Sequence, residues 1–233
     1  MTFRFDAVLF DAGGVLVLPD PTVIAPLLEF YGGDTTVAVH RRAHYAGMAA
    51  KSNAGSSEVE WLVYDEAYVA AVGVCDADLA EAADVLNRTR TPDLWRWPIP
   101  ETLAALQQFA AAGIPMGVVS NASGQIEASL NRSVCQVGVG AFTAMRCIVD
   151  SQVVGVEKPD PRIFDFALPY FAEFVPERIA YVGDSVAMDI VSSRAARLHP
   201  ILVDPYNDHD GADFERINSV LVLADELADA TGS

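Results

Sequence analysis

The sequence predicts an α/β fold, a doubly wound parallel sheet with a helical bundle inserted near its start. Three observations carry this. Short apolar runs alternate with helical patterns. Several of those runs stop at polar residues or glycine. The long stretch from about Pro19 to Pro92 shows almost no strand signal.

Taken in order, Ala7 to Phe10 is an apolar run that stops at Asp11 before Gly13 and Gly14, as a buried parallel strand does where it meets a loop. Four helical segments follow: Thr22 to Tyr31, Thr35 to Ala50, Glu58 to Val72 and Ala77 to Arg90. Gly32, Gly33 and the Ser52 to Ser57 stretch punctuate them. Tyr45, Trp61, Tyr64 and Tyr68 have the spacing of helix contact positions, and Trp95 and Trp97 stand where the insertion returns. A helix from Glu101 to Ala112 then ends at Gly113, and Ile114 to Val119 is a strand running into Ser120 and Asn121. Further strands are expected at Arg146 to Val149, Ile179 to Val182, Ile201 to Val203 and Ser219 to Leu223. Helices are expected at Pro161 to Phe171 and Ser185 to Ala196. The expected division is a core of residues 1–17 and 93–233 with a helical unit of residues 18–92.

Composition narrows the function. With 52% hydrophobic and 20% charged residues the chain is globular, and no apolar run approaches the ~18 residues of a membrane span. The opening MTFRFDAVLF reads as a strand and not a signal peptide, so the protein is expected in the cytoplasm. A formal charge of −17 repels nucleic acid and anionic membranes. The one compact basic group is His40, Arg41, Arg42 and His44 on a single expected helix, too small for a duplex but able to meet one anionic metabolite. Cys75, Cys135 and Cys147 are odd in number and lack metal spacing, so buried free thiols are expected. The sequence sets no oligomeric state.

Three separate strands end at Asp11, Ser120 and Asp184, so a parallel sheet would gather all three at its C-terminal edge. A carboxylate attacking a phosphate dianion needs a cation and fixed donors to neutralise the oxygens. Asp11 and Asp184 could share a magnesium ion, which prefers oxygen ligands, and Lys158 in GVEKPDP could supply a fixed positive charge. Ser120, Asn121 and nearby N–H groups could donate to a phosphoryl oxygen.

The stretches FDAGGVL at 10–16, VVSNASG at 118–124, EKPDPRIF at 157–164 and YVGDSVAMD at 181–189 resemble, in order, the four motifs of the haloacid dehalogenase (HAD) superfamily. The resemblance is to the subfamily with a helical cap between the first two motifs and a Rossmann-like core. It implies that Asp11 is the nucleophile, forming an aspartyl-phosphate, and that Ser120 with Lys158 holds the transferring group. Asp184 and the Gly13 carbonyl would complete a magnesium site with Asp11, and Asp189 would support it from outside. The implied substrate is a small phosphorylated metabolite, with Arg41 and His44 as candidate contacts from the cap.

One position departs from the pattern. Phosphatases of this family usually carry a second aspartate where Gly13 stands, and glycine can neither protonate a leaving oxygen nor activate water. Losing such help typically costs about 10²–10⁴-fold in rate. Two other readings therefore stand beside the phosphatase: a non-catalytic binder of a phosphorylated ligand, and a 2-haloacid dehalogenase. The GDSVAMD stretch disfavours the second, because the fourth motif of those enzymes does not serve a metal.

Overall fold

Every residue of β1 (Ala7–Phe10) is buried, and the strand feeds two cores at once. Val8 and Phe10 join a cluster with Leu106 and Phe109, while Ala7 and Leu9 join another with Phe164 and Phe171. Burial on both faces explains why this strand reads as continuous apolar sequence and does not alternate. The computed structural model describes residues 3–55 and 61–231, with side chains to residue 227.

After β1 come β2 (Val17–Pro19), α1 (Pro21–Glu29), α2 (Val37–Asn53), α3 (Leu62–Ala71), α4 (Leu79–Thr89) and β3 (Trp95–Pro98). Next are α5 (Pro100–Ala111), β4 (Met116–Ser120), α6 (Ile126–Leu130), β5 (Cys135–Val137), β6 (Thr143–Met145), β7 (Ile148–Asp150) and α7 (Ser151–Val154). The chain finishes with β8 (Ile179–Gly183), α8 (Val191–Ala195), β9 (His199–Val203), β10 (Glu215–Ile217) and α9 (Val220–Thr231).

The main sheet has six strands in the order β10-β9-β8-β1-β4-β7, all parallel. The chain leaves β1 towards β4 and β7, then crosses back and leaves β8 towards β9 and β10. The order therefore reverses between β1 and β8, and ligands of open α/β sheets bind in that crevice at the carboxyl ends. Helices α5 and α9 cover one face, where Phe109, Leu223 and Leu227 join the cluster of Val8 and Phe10. The other face is covered by Ile163, Phe164, Ala167 and Phe171.

Helices α1 to α4 have their own core of Ile24, Leu28, Met48, Tyr64, Tyr68, Val69 and Leu86. Asp20 caps α1 by accepting from the Thr22 N–H at 2.9 Å, with Pro21 at the first helical position. The strands β2 and β3 form an antiparallel ribbon, Val17 opposite Pro98 and Leu18 opposite Trp97, at the two chain crossings between this unit and the sheet.

Four local expectations change. Ser219 to Leu223 is the start of α9 and not a strand, because Val220, Leu223, Ala224 and Leu227 are buried at helical spacing, and the last strand is Glu215–Ile217. Pro161 to Phe171 forms two short 3₁₀ turns, since Pro169 has no N–H to continue an α-helix. Ser185 to Ala196 begins with a π turn at Val186–Ile190 before α8. Cys75 is exposed, whereas Cys135 and Cys147 are buried free thiols as expected. The first residues of the expected Glu58 to Val72 helix lie outside the described residues, and α3 is seen from Leu62.

Candidate active site

Asp11 follows β1 directly and Asp184 follows β8, so adjacent strands deliver both carboxylates to the reversal point of the sheet. Ser120 ends β4 on the other side of β1. Lys158 arrives from the loop after α7. Its Nζ donates to Asp11 Oδ1 at 2.8 Å, to Asp189 Oδ1 at 2.6 Å and to the Tyr181 hydroxyl at 2.9 Å. The Tyr181 hydroxyl donates in turn to the Val119 carbonyl at 2.9 Å. All three donors of this ammonium are therefore satisfied.

Asp189 has both oxygens engaged. Oδ1 faces Lys158, and Oδ2 accepts from the backbone N–H groups of Asp184 at 3.0 Å and Ser185 at 2.9 Å. It fixes the turn after β8 and the position of Lys158 together. Asn121 acts likewise: its Nδ2 donates to the Lys158 carbonyl at 3.0 Å, and its Oδ1 accepts from the Lys158 N–H at 2.8 Å. Asn121 also lines the site cavity, so this grip on the Lys158 backbone stands beside the phosphate contact expected of it.

Asp184 Oδ2 lies 2.9 Å from Nε2 of His44, a residue of α2. The other ring nitrogen is 2.9 Å from the Tyr64 hydroxyl. Burial pushes His44 down to about 3, so the ring is neutral, with Nε2–H donating to Asp184 and Nδ1 accepting from Tyr64. Gly14, at φ +66°, makes room for this contact: a Cβ there would stand 1.9 Å from Asp184 Oδ2 and 2.7 Å from His44 Nε2.

Burial also raises Asp11, opposed by Lys158 and reinforced by Asp189 and Asp184. Burial alone would lower Lys158, but Asp11 and Asp189 outweigh it and hold the ammonium well above its ordinary value. Asp11, Asp184 and Asp189 each offer an oxygen within 4.8 Å of the others. With His44 neutral, three carboxylates face one lysine, a formal excess of two negative charges in a buried site. Hard oxygen donors with that excess fit a divalent cation such as magnesium.

Asp11, Gly13, Ser120, Asn121, Lys158, Asp184 and Asp189 line one cavity of about 430 Å³. The basic group at 40–44 divides, because successive residues of a helix point about 100° apart. His40 turns into the helical unit towards Tyr68. Arg41 pairs with Glu101 at 2.8 Å and Arg42 makes two bonds to Asp208 at 2.7 and 2.8 Å. Neither arginine lines the cavity, and neither does His44, so the expected substrate contacts of Arg41 and His44 are corrected to an interface ion pair and a bond to Asp184. One and two turns beyond His44, Met48 and Lys51 do line it, together with Trp61, Arg90 and Trp95. Lys51 and Arg90 were not among the expected site residues, and Trp61, expected at a packing position, both packs against the core of the helical unit and lines the cavity. A usable signal was present, since the chain has only two lysines, Lys51 and Lys158.

Asp11, the buried Lys158 and the two further carboxylates Asp184 and Asp189 thus stand together at the reversal point of a doubly wound parallel sheet. The chain belongs to the haloacid dehalogenase-like hydrolase family, whose model matches residues 5–197. It is 33% identical over 133 residues to the bovine (Bos taurus) haloacid dehalogenase-like hydrolase domain-containing protein 3, covering 56% of this chain and 50% of that one. It is 29% identical over 157 residues to glyceraldehyde 3-phosphate phosphatase of Methanopyrus kandleri, covering 63% and 65%. The matches thus span about half to two thirds of these relatives. Among solved structures, the magnesium-bound putative HAD-hydrolase YfnB of Bacillus subtilis shares the fold at TM-score 0.61 and 18% identity, over 96% of this chain and 99% of that one. No helix among the described residues is long and apolar enough to cross a membrane.

Proposed function

We propose that this protein is a magnesium-dependent phosphatase of a small phosphorylated metabolite, with Asp11 as nucleophile. The observation that carries the reading is the Asp11–Lys158 contact of 2.8 Å beside Asp184, at the sheet's reversal point. A relative named as a phosphatase supports the reaction class. The helical unit of residues 18–92 acts as a cap that completes the cavity with Lys51, Trp61 and Arg90.

A carboxylate oxygen of Asp11 attacks phosphorus, the bond to the leaving oxygen breaks, and an aspartyl-phosphate forms; water then attacks that phosphorus and returns the carboxylate. Lys158 holds Asp11 ionised and oriented, and with Ser120 it neutralises phosphoryl oxygen charge as it develops. Asp189, Tyr181 and Asn121 keep Lys158 in place. Asp11, Asp184 and the Gly13 carbonyl would hold magnesium, whose chemistry when bound is to offset phosphate charge. Gly13 gives no proton, so the leaving oxygen takes one from water or departs as an anion. Anomeric and acyl phosphates suit that constraint better than simple alkyl phosphates.

Purified protein with magnesium should hydrolyse an aryl phosphate, and Asp11→Asn should abolish that turnover. Turnover that ignores either magnesium or Asp11→Asn overturns the reading. One observation favours a second reading, a phospho-ligand binder: the Trp95 ring stands 3.2 Å from where a residue-13 Cβ would be, filling the place of an acid–base side chain. Thermal stabilisation by phosphorylated ligands without turnover of any would select it.

A further inference from the structure

Lys158 holds Asp11 Oδ1, so Oδ2 is the oxygen placed to attack. A Cβ at residue 13 would stand 3.9 Å from that Oδ2 and 3.2 Å from the Trp95 ring. The ring edge therefore borders the attacking carboxylate, on the side from which a second aspartate would reach the leaving oxygen.

This ring is fixed from several directions. Trp95 opens β3 opposite Pro19 of β2, and it packs against both the main core and the core of the helical unit. The His44 ring meets it at 80° with centroids 5.4 Å apart, and Trp61 stands tilted to it at 6.3 Å. Lys51 and Arg90 lie over the Trp61 ring at 3.6 and 4.4 Å, whereas among the described residues no cation lies over Trp95. Met48, Met188 and Ile126 line the cavity with the two indoles. Indole rings and methionine thioethers both pack favourably on aromatic ligands.

The ring atoms nearest the residue-13 position are the carbons Cζ3 and Cε3, which have no proton to give. An alkoxide released beside them would keep its full charge against an apolar edge, which is costly. A phenolate spreads its charge into its own ring. A phenol gives up its proton at about pH 10, as tyrosine does, against about 15.7 for water, whose acidity simple alcohols resemble. The chemical constraint set by Gly13 and the physical one set by Trp95 thus select the same leaving group.

We propose that the substrate is an aryl phosphate, the phosphomonoester of a phenolic or heteroaromatic hydroxyl, whose ring packs against Trp95. As Asp11 Oδ2 bonds to phosphorus, the bond from phosphorus to the aryl oxygen breaks. Its electron pair leaves with the phenolate, which solvent protonates after release. A cavity of about 430 Å³ has room for one six-membered ring and its phosphoryl group. The inference rests on the phosphatase reading and names the substrate class for it.

Calorimetric titration of the full chain, at one fixed magnesium concentration, compares phenylphosphonate with cyclohexylphosphonate at a pH high enough for both to be dianions. The two have equal carbon counts, and only the first has a π face. Phenylphosphonate should bind about two- to tenfold more tightly. In Trp95→Leu that preference should disappear, and Trp95→Phe, which keeps a smaller ring, should retain part of it. Equal affinities in the unaltered protein, or tighter binding of cyclohexylphosphonate, overturn the proposal without any variant. So does a preference that Trp95→Leu retains in full. A protein that shows the preference but turns over no phenyl phosphate keeps the aromatic subsite and loses the phosphatase. Turnover of phenyl phosphate without the preference does the reverse.

Discussion

His44 and Asp184, 140 positions apart in sequence, meet at 2.9 Å and tie α2 to the carboxyl edge of the sheet. Tyr45 donates to the Gly14 carbonyl at 2.7 Å one residue on, and Ser52 Oγ accepts from the Val186 N–H at 3.3 Å two turns further. A single helix therefore joins the helical unit to the loops that carry Asp11 and Asp184.

His44→Ala should weaken magnesium binding by about tenfold or more, because partners that orient a ligating carboxylate typically carry that much affinity. Calorimetric titration of the metal alone checks it, and His44→Gln should recover part of the loss. Unchanged magnesium affinity in His44→Ala would mean that the contact serves only to dock α2.

Gly13→Asp should not restore a fast phosphatase. A Cβ at residue 13 would lie 3.2 and 3.3 Å from two Trp95 ring atoms, tighter than ordinary contact, and crowding of this kind costs about 1–3 kcal/mol. The variant should unfold at lower temperature, and combining it with Trp95→Ala should relieve part of the cost. A double-mutant cycle on the unfolding midpoint reads the coupling. Additive effects would contradict it.

Lys158→Met should destabilise the fold as well as stop turnover. It leaves Asp11 and Asp189 buried without their shared cation, and breaking such a group from one side costs about 3–5 kcal/mol. Denaturant unfolding should show a clear fall in midpoint with an unchanged slope.

Stability should fall on mild acidification. Burial lowers His40 and outweighs the opposing bond to the Asp34 carbonyl, so the folded state resists a proton that the unfolded chain accepts below about pH 6.5. The His40 contribution is complete above that pH and is lost as pH falls towards the lowered folded value. His40→Gln removes the titrating group. Its unfolding midpoint should therefore change less between pH 7 and pH 5 than that of the unaltered protein, and parallel pH profiles would show that His40 contributes nothing.

Strand β1 was readable because burial on both faces leaves a run of four apolar residues, and its stop at Asp11 marked the site without any tertiary information. Strand ends likewise placed Asp11, Ser120 and Asp184 together, since parallel strands end on one edge, and the resemblance of the EKPDPRIF stretch added Lys158. Local pattern failed where two signals overlap. Val220 to Leu223 is apolar enough for a strand, and only its contacts along α9 show the helical spacing. Proline decided the segment after Pro161, where composition alone favoured an α-helix.

The sequence by itself determined five of the six strands of the sheet, the inserted helices and the carboxylates at the strand ends, because hydrophobic period and strand ends are properties of neighbouring residues. What the tertiary structure decided is which face of α2 meets that chemistry. Successive residues of α2 point about 100° apart, so Arg41 and Arg42 went to ion pairs, His44 to Asp184 and, two turns on, Lys51 into the cavity. Those destinations depend on the rotation of a helix against a sheet, which is set by contacts between residues far apart in the chain.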